Sequence, residues 1–495
     1  MAFRFLAALA LLFIPPQASA EPVSPDALRR HIDILASDDF AGREPGTEGE
    51  QKSIAYIAGQ MRSFGLEPAA PRNSWYQPFD VIARSPGDQT SLWWPKGKKS
   101  ERMEFGRDEI MVFGRSERET LDSAPVIFAG HGAVIPEKGI DQLAGADLKG
   151  AIVLILYDSP ETPGFPGYSE RAEAVAAAGA AAVIGIIGRD LPWPVIQRVY
   201  DGGQKRLSIH APPRLTGAIS QAAAETLFRA AGQDLAALLG TPGPEFRAIP
   251  LKLRASFEVA TQIDTIRTSN VVGRIRGSGG GGESLLYLAH WDHLGLCEKE
   301  AKDQICNGAV DNASGVAALL EIARALGRGP RPKRDILFLA TTAEEMGLLG
   351  AEYFASRPPV PLRSIVAAVN MDTLAIAPKG EKVAVMGRGR AALDSLIDRT
   401  VAEAGRDLDR DDEAAALVER QDGWALARAD VPAIMIGGSF SDMKKLNAFL
   451  AGPYHSAADN PGPELPLGGA AEDTDLMIAL GRKLADPALY PWPSR

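Results

Sequence analysis

Ser284-Leu285-Leu286-Tyr287-Leu288-Ala289-His290 is a short, almost unbroken apolar run that ends on an imidazole, with Trp291-Asp292-His293 directly behind it. A run that is apolar on consecutive residues predicts a strand buried on both faces. Similar runs recur at Asp335 to Ala340, Ile365 to Val369 and Val431 to Ile436. Between the first two, Gly315 to Leu326 predicts a helix with Val316, Leu319, Leu320 and Ala323 on one face. Strands and helices alternating in this way predict an α/β fold, a three-layer αβα sandwich around a largely parallel mixed sheet.

The polar residues follow the strands. In open α/β sheets, sites form beyond the carboxyl ends of strands. His290 closes the first run, Glu344-Glu345 follow Ile336-Leu337-Phe338-Leu339, and Asp372 follows Ile365-Val366-Ala367-Ala368-Val369. Three strands thus deliver polar groups to one edge of the sheet. Asp311-Asn312-Ala313-Ser314-Gly315 precedes the predicted helix, and Tyr454-His455 lies in a loop after Gly452-Pro453. Imidazole and carboxylate are the ligands that Zn²⁺ accepts where no thiolate is offered. Five of them, His290, Asp311, Glu345, Asp372 and His455, with one carboxylate bridging, suffice for two metals side by side. The Glu344-Glu345 pair offers one ligand and one general base, which together point to a dizinc hydrolase.

Each residue also has a plainer reading. His290 and Asp292 are two apart, so they point the same way if the strand continues, and Asp292 then fixes the imidazole tautomer. On the same argument His293 points away and reads as structural. Ser314 reads as a helix cap, and an acidic pair at a helix start complements the helix dipole. Neither a Gly-x-Ser-x-Gly elbow nor a His-Glu-x-x-His pair occurs, which disfavours a serine hydrolase and a one-zinc endopeptidase.

A chain of 495 residues predicts about two or three domains. The net charge of −10 argues against nucleic-acid binding, which needs a basic face. Residues 1–20 read as a signal peptide: Arg4 is followed by an apolar run from Phe5 to Ile14, and Ala18-Ser19-Ala20 fits a cleavage site. The run is too short to span a bilayer, so the expectation is an exported protein, periplasmic or secreted, without a membrane anchor. Cys297 and Cys306, the only two cysteines, lie in one short insert and are expected to close a disulfide in an oxidising compartment. The rival readings are free thiols or soft metal ligands. Ile54, Ile57, Met61 and Phe64 predict an amphipathic helix ended by Gly65. Residues 115–260 differ in texture: strands at Ala124 to Ala129, Ala151 to Leu156 and Ala181 to Ile187, a helix from Arg171 to Ala178, and no candidate ligand. They read as a lobe inserted between residues 21–114 and 261–495.

These motifs resemble the zinc exopeptidase family of bacterial leucyl aminopeptidases, glutamate carboxypeptidase II and glutaminyl cyclases. Gly42-Arg43-Glu44-Pro45-Gly46-Thr47-Glu48-Gly49 is similar to that family's N-terminal signature, and the inserted lobe resembles a mainly β protease-associated domain. The resemblance implies that His290 and Asp372 hold one zinc, Glu345 and His455 the other, and Asp311 bridges them. It further implies a cis Asp311–Asn312 peptide, Glu344 as the general base, and peptides as substrates. An aminopeptidase is the leading expectation. A carboxypeptidase or dipeptidase, a glutaminyl cyclase and a non-catalytic receptor-like ectodomain are the alternatives. One departure stands out: many relatives carry a histidine after the aspartate of Gln421-Asp422, where this chain has Gly423.

Overall fold

The computed structural model describes residues 21–492, apart from 161–164, 240–242, 244, 281, 298–300 and 412. The expected signal peptide lies outside the described residues. No helix among them is long and apolar enough to cross a membrane. The chain forms two compact units, residues up to Pro78 with Thr268–Arg495, and Phe79–Arg267.

In the first unit the strands stand in the order Ala384–Met386, Ala433–Gly437, Ile365–Asn370, Ser284–His290, Asp335–Thr341, then the end of Ile249–Ile275, then Glu67–Pro68. The four strands Ala433–Gly437, Ile365–Asn370, Ser284–His290 and Asp335–Thr341 run parallel, and each strand outside them pairs antiparallel with its neighbour. All seven residues of Ser284–His290 are buried, as its unbroken apolar run requires. Its side chains alternate between two cores. Leu285, Tyr287 and Ala289 pack with the helices Pro25–Leu35, Glu48–Ser63, Ser314–Gly327 and Leu467–Leu484. Leu286 and Leu288 pack with Phe354 of Leu349–Ser356 and Leu426 of Gly423–Ala427. The sheet is therefore covered on both faces, in three layers.

The Tyr287 ring stacks on Phe338 of the neighbouring strand, 5.6 Å between centroids, and its hydroxyl donates to Met477 O at 2.7 Å. Truncating a fully buried aromatic of this kind to alanine typically costs about 3–5 kcal/mol.

The second unit has its own sheet. Residues 249–260 pair antiparallel with Arg118–Phe128, followed by the parallel strands Ile152–Leu156, Ala182–Ile187 and Leu215–Ser220 and the antiparallel Ile110–Gly114. Helices Tyr168–Ala177 and Gln221–Ala230 follow two of the parallel strands. Trp93, Phe128, Phe228 and Phe257 fill its core. The unit begins at Phe79, where the sequence suggested 115. The reason is a long-range pairing: residues 81–84 of Tyr76–Pro95 pair with Gln204–Leu207, and 92–93 with Met103–Glu104.

Cys297 and Cys306 are joined in a disulfide with their Cα atoms 5.8 Å apart. The bond sits beside a two-stranded ribbon, Gly295–Leu296 with Ile305–Cys306. Gly42 lies against this ribbon in the left-handed region, φ +66°, and a Cβ there would meet Cys306 O and Gly295 O at 2.6 Å. Only glycine fits that position.

Candidate metal centre

The ladder between Ser284–His290 and Asp335–Thr341 ends with His290 opposite Thr341, and Leu288 stands opposite Asn370. The chain that leaves these three strand ends carries Asp292 and His293, Glu344 and Glu345, and Asp372. All lie at one edge of the sheet. Asp311 arrives from the turn before Ser314–Gly327, and His455 from the loop after Met443–Leu450.

Main-chain geometry at Asp311 is unusual. The Asp311–Asn312 peptide is cis, as the resemblance implied. Asp459 accepts from Val310 N at 2.9 Å and from Asp311 N at 3.0 Å, one carboxylate oxygen to each. Asn312 Oδ1 accepts from Gly315 N at 2.9 Å, and its Nδ2 donates to Met371 O at 3.0 Å. The amide thus ties the Asp311 turn to the segment carrying Asp372. A Cβ at Gly315 would meet Asn312 Oδ1 and Met371 O at 2.3 Å, so this glycine is required by close approach. The expectation of a Ser314 cap is corrected. Ser314 Oγ donates to Val310 O and accepts from Leu374 N, so Asn312 takes the capping role.

Arg43 fixes the same region from the other side. Its buried guanidinium donates to Trp291 O, Leu35 O, Asn307 O and Gly308 O. Burial lowers its pKa to about 10 against the pull of Asp459 and Asp311, which leaves it charged at neutral pH.

Two groups of side chains lie close enough to hold a metal ion: His290 with Glu344 and Asp372, and His293 with Asp311 and Glu345. His290 Nε2 stands 3.3 Å from Asp311 Oδ1, 3.6 Å from Asp372 Oδ1 and 4.0 Å from Glu344 Oε2. On its other side, Nδ1 faces Asp292 O at 3.2 Å and Asp292 Oδ1 at 3.8 Å. His455 Nε2 stands 2.9 Å from Glu345 Oε2 and 3.4 Å from Asp311 Oδ2. All seven candidate site residues are therefore gathered in one place.

His293 is an eighth member that strand alternation had turned away. The strand ends at His290, so alternation does not reach residue 293. Its Nδ1 is 2.7 Å from Glu345 Oε1 and 3.8 Å from Asp311 Oδ2. Asp422 is buried and accepts from Thr341 Oγ1.

The electrostatics separate the two adjacent glutamates. Burial, aided by the charges of Asp372 and Asp422 and opposed by His290, raises Glu344 well above the ordinary carboxylate range. Burial and Asp311 act to raise Glu345 too, but hydrogen bonds from His293 and His455 outweigh them and bring it below that range. Burial opposes the charging of His290, yet Glu344 and Asp372 lift its pKa well above normal. Burial likewise opposes His455, and Asp311 and Glu345 lift it to about 9. Burial pushes Asp292 up to about 8 despite His290.

A pocket opens beside these groups. Asp311, Glu344, Asp372 and Thr373 line it together with Met386, Leu417, Met435, Phe440, Leu446, Leu450 and Tyr454, and with Arg420 and Gln421. Except for the first four and Met386, these residues come from the segment 417–454.

Residues 270–473 match the family model described as Peptidase family M28. Aminopeptidase NAALADL1 of Mus musculus is 34% identical over 139 residues, which are 26% of this chain and 17% of that protein. A glutamate carboxypeptidase 2 homolog of Caenorhabditis elegans is 28% identical over 204 residues, 38% of this chain and 24% of that protein. The chain thus spans only 17% and 24% of the length of these two curated relatives. The solved structure of an aminopeptidase from Aneurinibacillus sp. strain AM-1 is similar in fold, with a TM-score of 0.54 at 18% identity, over 96% of this chain and 97% of that one. The stretch that matches this family model, residues 270–473, carries both groups of candidate ligands.

Proposed function

We propose that the chain is an exported zinc aminopeptidase that holds two zinc ions and hydrolyses the first peptide bond of peptides with a free amino terminus. The observation that carries this reading is the placement of Asp311. Its Oδ1 is 3.3 Å from His290 Nε2 and its Oδ2 is 3.4 Å from His455 Nε2, so one carboxylate faces two separate imidazoles. In this reading His290 and Asp372 would hold one zinc, Glu345 and His455 the other, and Asp311 would serve both.

The residues fit that metal. The donor set is imidazole and carboxylate, which zinc takes readily. His290 Nε2 is buried among carboxylates without a well-aligned hydrogen bond, as suits a ligand atom. When bound, zinc polarises a carbonyl oxygen and lowers the pKa of water.

The protein's own side chains supply the rest. Glu344 takes the proton of the attacking water and returns it to the leaving amine. Asp292 faces the Nδ1 side of His290 and so directs Nε2 into the cluster. Glu345 and Asp372 attract the substrate ammonium, which sets the first peptide bond over the site. Met386, Leu417, Met435, Phe440, Leu446 and Leu450 form an apolar wall suited to an apolar first side chain. The reading of residues 1–20 as a signal and the Cys297–Cys306 bond support export. The unit Phe79–Arg267 is read as a protease-associated domain.

The test pairs a short peptide with its N-acetylated twin, and adds aminoacyl nitroanilides, each with and without zinc. Stepwise loss of residues from the free peptide alone is expected. Equal cleavage of both peptides, or loss only from the carboxyl end, moves the function to carboxypeptidase. Binding without turnover in the presence of zinc makes it a non-catalytic ectodomain.

A further inference from the structure

Arg420 lines the same pocket as Asp311, Glu344 and Asp372, and it is the only basic residue that does so among the described residues. The pocket thus offers three carboxylates and one guanidinium beside apolar side chains. Arg420 ends the helical turn Glu413–Arg420. The next residue is held firmly: Gln421 Oε1 accepts from Asn370 Nδ2 at 2.8 Å and from Gly423 N at 2.7 Å, and its Nε2 donates to Val418 O at 3.0 Å. Asn370 ends the strand that leads to Asp372. The main chain at Arg420 is therefore anchored to the strand that delivers a candidate ligand.

The side chain itself is not engaged. It is exposed, and among the described residues no ion pair or hydrogen bond involves its guanidinium, although Glu419 and Asp422 are close in sequence. An unpaired planar fork at the wall of a catalytic pocket is built to take a carboxylate in two parallel hydrogen bonds. A short peptide with a free amine is complementary to such a pocket: its ammonium is drawn to the acidic groups and a carboxylate to the arginine.

We propose that Arg420 binds a carboxylate of the substrate, and so makes short peptides that carry one on the leaving side preferred substrates. This rests on the aminopeptidase reading above. The carboxylate has two possible sources, the carboxyl terminus of a dipeptide or an acidic side chain on its second residue.

Four substrates separate them: Leu-Gly, Leu-Gly-amide, Leu-Glu-amide and Leu-Gln-amide. For the zinc-loaded wild type, kcat/KM is expected to favour one carboxylate-bearing member of a pair by about tenfold, the scale of one charge-assisted hydrogen bond. Arg420→Ala should bring that ratio close to one, chiefly through KM, and Arg420→Lys should restore part of it. A preference within the first pair identifies the terminal carboxylate, and within the second pair the acidic side chain. Calorimetry on the zinc-loaded Glu344→Gln protein, with and without Arg420→Ala, reads the same contact without turnover. An affinity difference that depends on Arg420, together with a zinc-loaded wild type that hydrolyses none of the four, sinks the aminopeptidase reading and leaves carboxylate binding at Arg420 standing. Ratios near one in the wild type, or ratios that Arg420→Ala leaves unchanged, overturn the proposal.

Discussion

Asp459 holds the main chain of Asp311: its Oδ2 accepts from Asp311 N at 3.0 Å while its Oδ1 accepts from Val310 N at 2.9 Å. Asp459 is itself buried, and burial pushes its pKa up against those two bonds. Removing it leaves two main-chain donors without partners in a dry site. Asp459→Ala is expected to cost about 2–4 kcal/mol, from the usual penalty for unsatisfied buried groups, and to weaken zinc binding. Asp459→Asn keeps one acceptor and should cost less. Thermal unfolding with a zinc titration checks both, and wild-type behaviour in the alanine variant would remove this role for Asp459.

Glu344→Gln keeps the shape of the side chain and removes the carboxylate that the proposed mechanism uses as its base. Zinc content should be preserved while kcat falls by about 10²–10⁴-fold, the usual worth of general acid–base catalysis. Near-normal turnover in a zinc-loaded variant would assign the base elsewhere.

Two imidazoles face Glu345. His455 stands on Oε2 at 2.9 Å and His293 on Oε1 at 2.7 Å. If His455 is the ligand and His293 the partner that orients Glu345, metal analysis should read about two zinc per chain in the wild type, as in other two-metal hydrolases. His455→Ala should read near one, and His293→Ala near two with weaker affinity. The opposite order would exchange the two roles.

The metal-free protein should depend on pH in a definite direction. The folded pKa of His455, about 9, lies above its ordinary 6.5 because Asp311 and Glu345 outweigh the effect of burial. The stability it contributes is then fully present below about pH 6.5 and lost as pH rises through about 9. Metal-free Tm should fall across that window, and the fall should shrink in His455→Gln. Zinc needs the imidazole without its proton, so adding zinc at pH 7 should release protons into a weak buffer. Zinc uptake without proton release would place the charge elsewhere.

Much of this site was legible in the sequence because strand ends are. Apolar runs announce buried strands, and a polar residue directly behind one has few places to go except the sheet edge. That logic located His290, Glu344, Glu345 and Asp372. It failed at His293, because the strand ladder stops at His290 and the chain then turns. It was silent on Asp459, whose work is done on a main chain 148 positions away. The start of the second unit at Phe79 was hidden for a similar reason. Residues 81–84 owe their place to Gln204–Leu207, a pairing that leaves no local periodicity. Arg420 is an exposed arginine beside a glutamate, and nothing in its neighbours' pattern distinguishes it from surface charge.

Parallel strands in fixed register set the separations of His290, Glu344, Glu345 and Asp372, whereas most of the pocket wall comes from residues 417–454, where Met435 alone of the lining residues lies on a parallel strand. Under the aminopeptidase reading, reaction and selectivity then rest largely on separate stretches of chain. Arg420 is exposed and can be varied freely, whereas Leu417, Phe440, Leu446 and Leu450 pack with Ala384, Met386 and Met435 of the sheet, so substitutions there must conserve volume. Under the aminopeptidase reading, a volume-conserving library at those five positions is a route to new terminal-residue preferences.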